Sequence, residues 1–191
     1  MANTLYPIFL KTENFRILIV GGGFVGTEKI SFILKNSPNA NITVVAIEIS
    51  QEIRSIVESR PSTVLIEKQF EKSDLENKQL VIAATADKLL NEAIYHAAKE
   101  KNILINVADT PELCDFYLGS IVTKGDLKIA ISTNGKSPTL SKRIREFFED
   151  ILPDNINDLI LNLNDYRKTL KGNFEEKANK LNEITSSFLK K

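Results

Sequence analysis

Six consecutive residues, Gly21-Gly22-Gly23-Phe24-Val25-Gly26, carry the densest chemical signal in the chain. Gly21, Gly23 and Gly26 fit the spacing G-x-G-x-x-G. In that pattern the first glycine permits a tight turn out of a strand. The second leaves room for a pyrophosphate against the backbone, and the third lets a helix pack close to the sheet. The N–H groups of that helix's first turn then face the phosphates. Just upstream, Arg16 to Val20 (RILIV) is an apolar run that stops at the glycines, and downstream the apolar spacing becomes helical. A loop between strand and helix is the context the motif requires. Glu48 follows Gly26 by about 20 positions, at the end of the next strand-like run. A carboxylate there accepts from ribose hydroxyls and repels a 2′-phosphate, which favours NAD over NADP. Asp109 closes Asn106-Val107-Ala108-Asp109, at the carboxyl end of a further predicted strand. Open α/β sheets bind ligands at that end. A carboxylate so placed serves as a base or as a substrate anchor.

These residues need a scaffold, and the first 110 residues supply an alternation of strand-like and helix-like segments. Strands are expected at Arg16 to Val20, Ile42 to Ala46, Thr63 to Ile66, Leu80 to Ala84 and Ile103 to Val107. They are apolar nearly throughout, as burial on both faces requires. Helices are expected at Val25 to Lys35, Ile49 to Val57 and Lys88 to Lys101, the last burying Leu89, Leu90, Ala93, Ile94 and Ala97. The fold class is therefore α/β, a Rossmann-type parallel sheet with helices on both faces. After Asp109 the pattern changes. Ser120 to Thr123 and Leu127 to Ser132 flank Lys124-Gly125-Asp126 and read as a hairpin. Ser137-Pro138 starts a helix as N-cap and first residue. Its apolar face is Leu140, Ile144, Phe147, Phe148 and Ile151, and Pro153 ends it. Two amphipathic segments follow, split near Gly172-Asn173. One carries Ile156, Leu159, Ile160, Leu163, Tyr166 and Leu170; the other carries Phe174, Ala178, Leu181, Ile184 and Phe188. The expected division is 1–112 as nucleotide-binding domain, 113–150 as hairpin plus helix, and 151–191 as an α-helical C-terminal region.

Composition narrows the function classes. Of 191 residues, 42% are hydrophobic and 26% charged, as in globular chains. Lys plus Arg equals Asp plus Glu at 25 each, which argues against a nucleic-acid-binding module. One cysteine and one histidine leave no intrachain disulfide and little for an all-protein metal site. His96 reads as a surface or boundary histidine and Cys114 as a small buried residue. No apolar run approaches the roughly 18–20 residues of a membrane span. The start, Met1-Ala2-Asn3-Thr4-Leu5-Tyr6-Pro7, lacks the pattern of a secretory signal, so a soluble cytoplasmic protein is expected. From Ser120 to Phe148, Lys124, Lys128, Lys136, Lys142, Arg143 and Arg145 face only Asp126 and Glu146, a local basic excess suited to a polyanion.

In combination these segments resemble a family. Leu5-Tyr6-Pro7-Ile8-Phe9-Leu10 followed by RILIVGGG looks like the start of siroheme synthases. So do Ala83-Ala84-Thr85, Asn91, Asn106-Val107-Ala108-Asp109, Leu113-Cys114-Asp115-Phe116 and the segment from Ala130 to Pro138. The resemblance, from about residue 5 to about residue 153, is to the precorrin-2 dehydrogenase module of siroheme biosynthesis. The chain looks like its free-standing form, without the methyltransferase domain of some relatives. The resemblance implies NAD-dependent oxidation of precorrin-2 to sirohydrochlorin, with Fe²⁺ insertion in some members. It also implies an interlocked homodimer built through a short dimerisation segment. Its essential aspartate falls on Asp109, and its active-site serine or threonine on Thr133, beside Ser132. Asn106 and Lys136 join these as substrate contacts. Cofactor contacts fall on Gly21, Gly23, Phe24, Val25 and Gly26, on Ile47 and Glu48, and at Thr85. Phe24 departs from the acidic or small polar residue often found there. A rival reading is a non-catalytic NAD-sensing module, which needs the glycine loop but has no use for Asp109 or the 130–138 segment.

Overall fold

The computed structural model describes residues 3–186. Met1 and Ala2 of the expected N-terminal reading, and Phe188 of the last apolar stripe, lie outside them. The chain divides into two compact bodies, one of residues 3–118 with Asn134–Lys136, the other of Gly119–Thr133 with residues 137–186.

The first body is built on a five-stranded parallel sheet of β1 (Arg16–Val20), β2 (Asn41–Ala46), β3 (Thr63–Glu67), β4 (Leu80–Ala83) and β5 (Leu104–Val107). The order is β3-β2-β1-β4-β5, so the chain reverses direction of growth between β1 and β4. Such a switch point leaves a crevice at the carboxyl ends of the strands. The helices are α1 (Phe24–Asn36), α2 (Gln51–Val57) and α3 (Lys88–Glu100). Ile17, Ile19, Ile42, Val44 and Ile82 face one layer of the core with Ile30, Leu34 and Ile53. Leu18, Val20, Val81 and Ile105 face the other with Ile94, Ala97 and Ala98. Consecutive residues of one strand thus serve opposite layers, which is why β1 is apolar from Ile17 to Val20. β3 is the exception: it lies at the sheet edge, Val64 is exposed, and only a 3-10 turn at Lys72–Leu75 carries the chain from it to β4.

α3 corrects the expected stripe. Leu89 is 76% exposed and Ala93 is exposed, while Asn91, Ile94, Ala97 and Ala98 are buried. Asp87 caps the helix by accepting from the N–H groups of Leu89 and Leu90, and this fixes its phase.

The second body pairs β6 (Ser120–Lys124) with β7 (Leu127–Ile131) as an antiparallel hairpin, followed by α4 (Pro138–Ile151), α5 (Ile156–Thr169) and α6 (Phe174–Thr185). Ser137 caps α4 through its Oγ and the Leu140 N–H, with Pro138 as first residue. α4 sits on β6, where the Ser120 and Ser141 hydroxyls lie 3.1 Å apart. The expected apolar face of α4 is only partly covered within the chain: Leu140, Phe147 and Ile151 are each more than half exposed. On α5 Ile156 is buried; Tyr166 on α5 and Ile184 on α6 stay exposed. Gly172 (φ +112°) separates α5 from α6, and Asn173 and Glu176 form a capping box at the start of α6.

Candidate functional site

The glycine turn leaves β1 under tight steric control. Gly21 has φ +127°, and a Cβ there would lie 2.3 Å from the Ala84 carbonyl oxygen, so only glycine serves. A Cβ on Gly26 would meet the Gly21 carbonyl oxygen, which is how α1 comes so near the turn. Gly22, an unspecified position in the motif, is equally constrained, because its Cβ would meet the backbone oxygen of Glu48. Gly23 differs from these three: nothing lies within 4 Å of its added Cβ. Gly23 is also the N-cap of α1, and no side chain caps that helix. An open approach over Gly23, leading to the uncapped first turn of a 13-residue helix, fits a diphosphate. Phe24 is 84% exposed and Val25 half-buried, so the Phe24 side chain takes no part in the core.

Several bonds tie this turn to its neighbours. The Gly21 N–H donates to the Val45 carbonyl at 3.0 Å and the Ser50 N–H to the Gly22 carbonyl at 3.0 Å. Buried Thr27 donates its hydroxyl to the Gly23 carbonyl at 2.9 Å and lies 3.2 Å from the Ser50 hydroxyl. Ser50 in turn caps α2 through the Ile53 N–H. Neither Thr27 nor Ser50 stands out in the sequence, although Ser50 immediately before Gln51 and Ile53 is a recognisable cap signal. Between Ala46 and Ser50 the chain presents Ile47, 75% exposed, and Glu48, also exposed, while Ile49 is buried beneath them.

The β4–α3 loop is held by one buried amide. Asn91 Oδ1 accepts from the Thr85 hydroxyl at 2.7 Å and from the Thr85 N–H at 3.3 Å. Asn91 Nδ2 donates to the Thr85 carbonyl at 3.1 Å. Thr85 is thereby fixed where its N–H lies 3.1 Å from the position a Gly21 Cβ would take.

Asp109 lies just past β5 and is exposed. Its φ is +58°, a conformation that non-glycine residues seldom adopt and that, when observed, marks a place to look for function. The segment after it is stitched back to β5. The Cys114 thiol donates to the Val107 carbonyl at 3.3 Å, and Asn106 Nδ2 donates to the Phe116 carbonyl at 2.8 Å. Asp115 accepts from the Ile105 N–H at 3.1 Å and pairs with Lys99 at 2.7 Å. Burial pushes the Cys114 thiol up from its ordinary value, so it stays protonated. The Asn106 amide nitrogen is thus engaged within the fold.

The first body therefore brings Gly21, Gly23, Phe24, Val25, Gly26, Ile47, Glu48, Thr85, Asn106 and Asp109 to the carboxyl ends of β1, β2, β4 and β5. Ser132 and Thr133 belong to the second body, at the end of β7. The Thr133 hydroxyl donates to the Ser137 carbonyl at 3.0 Å and accepts from the Ser137 N–H at 3.1 Å. Lys136 is exposed, in the short stretch that sorts with the first body. The basic excess is smaller than the local count implies. Lys124 contacts the Leu152 carbonyl and pairs with Asp154; Arg143 pairs with Glu146 and Arg145 with Glu149. Two of these partners, Asp154 and Glu149, lie just beyond the counted segment. Among the described residues, no group of three or more His, Cys, Asp or Glu is arranged to hold a metal ion, and no helix is long and apolar enough to cross a membrane.

Comparison with known proteins gives two family matches in tandem. Residues 8–120 match the family described as "Putative NAD(P)-binding", and residues 124–151 match the sirohaem biosynthesis protein central family. The chain is 38% identical over 169 residues to a siroheme synthase of Pseudoalteromonas atlantica, covering 88% of this chain and 36% of that one. It is 42% identical over 147 residues to a siroheme synthase of Psychromonas ingrahamii, covering 77% and 30%. The chain thus spans about a third of the length of the curated relatives it matches. Among solved structures, SirC, a precorrin-2 dehydrogenase, superposes with a TM-score of 0.74 at 28% identity, covering 94% of this chain and 89% of that one.

Proposed function

From a chain that belongs to the NAD(P)-binding family matched over residues 8–120 and also matches the sirohaem biosynthesis protein central family over residues 124–151, we propose an enzyme that oxidises precorrin-2 to sirohydrochlorin with NAD⁺. One observation carries the step from binding to catalysis. On the sheet edge that bears the glycine turn, Asp109 presents an exposed carboxylate with a left-handed backbone and no hydrogen bond or ion pair among the described residues. A module that only senses the nucleotide has no need of such a group.

Bound NAD⁺ supplies the hydride acceptor. The chain's own residues do the rest. Gly23 and the first turn of α1 receive the diphosphate. Glu48 accepts from the adenosine ribose, with Ile47 beside it, and the Thr85 backbone lines the same edge. Asp109 takes the ring N–H proton that leaves with the hydride, or holds the macrocycle by its N–H groups. Ser132, Thr133 and Lys136 are the substrate contacts of this reading, Lys136 toward the acetate and propionate groups, whereas Asn106 is buried with its amide nitrogen held by the Phe116 carbonyl and supports the strand end instead.

Two further parts belong to the reading. The segment 113–150 serves a homodimer, supported by the exposed Leu140, Phe147 and Ile151 of α4. The setting is cytoplasmic, in keeping with the lone free cysteine.

The test is anaerobic: purified protein, precorrin-2 and NAD⁺, following NADH and sirohydrochlorin absorbance, with Fe²⁺ added only in a second stage. Stoichiometric NADH and sirohydrochlorin support the dehydrogenase, and metal uptake in the second stage extends it to a chelatase. NAD binding without turnover supports the sensing module instead.

A further inference from the structure

Glu67 closes β3, in register with Ala46 of β2, and belongs to no part of the glycine motif. Its Oε1 nonetheless accepts from two groups of the cofactor edge. One is the Ile49 N–H at 3.2 Å, the peptide immediately after Glu48. The other is Arg54 on α2, with Nη2 at 2.5 Å. In NADP-binding proteins of this fold a nearby arginine accommodates the 2′-phosphate, and the Arg54 guanidinium shares its carboxylate partner with the Ile49 peptide. Here it is neutralised by a carboxylate from the neighbouring strand. We propose that Glu67 determines the choice of NAD over NADP, by pinning the Glu48 peptide and by holding Arg54 away from a 2′-phosphate. The proposal rests on the dinucleotide-binding reading of the site. Glu67 is a positioning residue and touches no cofactor itself. The guanidinium and the Ile49 peptide hold its carboxyl below the ordinary value, so both contacts are made by the ionised form at neutral pH.

The experiment measures binding alone, by NADH and NADPH fluorescence titration of wild type, Glu67→Gln, Arg54→Ala and the double variant, each checked for folding by circular dichroism. The glutamine oxygen can still accept from the Ile49 N–H, but its neutral amide releases Arg54. Glu67→Gln should tighten NADPH about fivefold, the size of one partly exposed charge contact, with NADH within about twofold. The gain should vanish in the double variant and shrink at high salt. Arg54→Ala alone should leave NADPH binding unchanged, because Glu67 already withholds the guanidinium. An unchanged NADH-to-NADPH ratio in Glu67→Gln overturns the proposal. So does a loss of NADPH affinity in Arg54→Ala, an arm that stands even if Glu67→Gln fails to fold. Wild-type protein that binds neither nucleotide removes the dinucleotide reading and this inference with it. NADH binding with an unmoved ratio removes only the role of Glu67.

Discussion

At the scale of single residues, the cofactor edge is defined by what cannot be added to it. A methyl group on Gly22 would meet the Glu48 carbonyl at 2.1 Å, so Gly22→Ala must displace the loop that carries Glu48. We expect this variant to lose measurable NADH binding by fluorescence while keeping its helical signal. The motif's spacing marks Gly21, Gly23 and Gly26 but is silent on Gly22, because the constraint comes from a segment more than 20 residues away that only the fold brings close. Asp109 leads to a second expectation. Asp109→Asn should lower turnover about 10²- to 10⁴-fold with NADH affinity unchanged, separating proton handling from cofactor binding. Full turnover in that variant would remove the assigned role. Glu67 supplies a pH dependence. Its carboxyl titrates below the ordinary 4.5, so the stability it contributes is fully present above that value and is lost as pH falls through the lower, folded value. The difference in urea midpoint between wild type and Glu67→Gln should therefore be constant near neutrality and close below pH 4.5.

At the scale of elements, α3 shows both what is legible in a sequence and what is not. Its existence follows from the apolar spacing between Lys88 and Lys101, while the Asp87 cap is a finding of the structure. Its face does not follow from hydropathy. The helix turns Asn91 inward and Leu89 outward, a phase held by three hydrogen bonds between Asn91 and Thr85 together with the Asp87 cap. A polar residue at a core position reads as a break in the stripe, although it is what anchors the β4–α3 loop. Asn91→Ala should cost about 1–3 kcal/mol in urea unfolding, since it leaves Thr85 groups unsatisfied. Leu89→Gln should stay within about 0.5 kcal/mol, as for surface changes elsewhere. If the two costs were equal, the assigned phase would be wrong. The strands were the most legible elements, since two-sided burial writes itself as unbroken apolar runs. β3 is the least so: an edge place and a short 3-10 connection leave its outer face uncovered.

At the scale of the whole molecule, the candidate residues of the two bodies are unequally visible in the sequence. Residues of the first body announce themselves by motif, while Ser132 and Thr133 of the second do so only through resemblance to a family. The surplus of apolar surface on α4 bears on assembly: Phe147→Asp should shift the mass measured by light scattering from two chains toward one at micromolar concentration. A single-chain mass for wild type would set the dimer aside. The lone thiol has a use of another kind. Cys114 sits in the first body, protonated and bonded to the Val107 and Thr110 carbonyls that flank Asp109. Release of that loop should expose the half-buried thiol further and ease its ionisation, so alkylation should quicken as the loop opens. Its labelling rate is thus a native stopwatch for the opening of one stretch of backbone, in a chain of 191 residues with no second sulfhydryl to blur the trace.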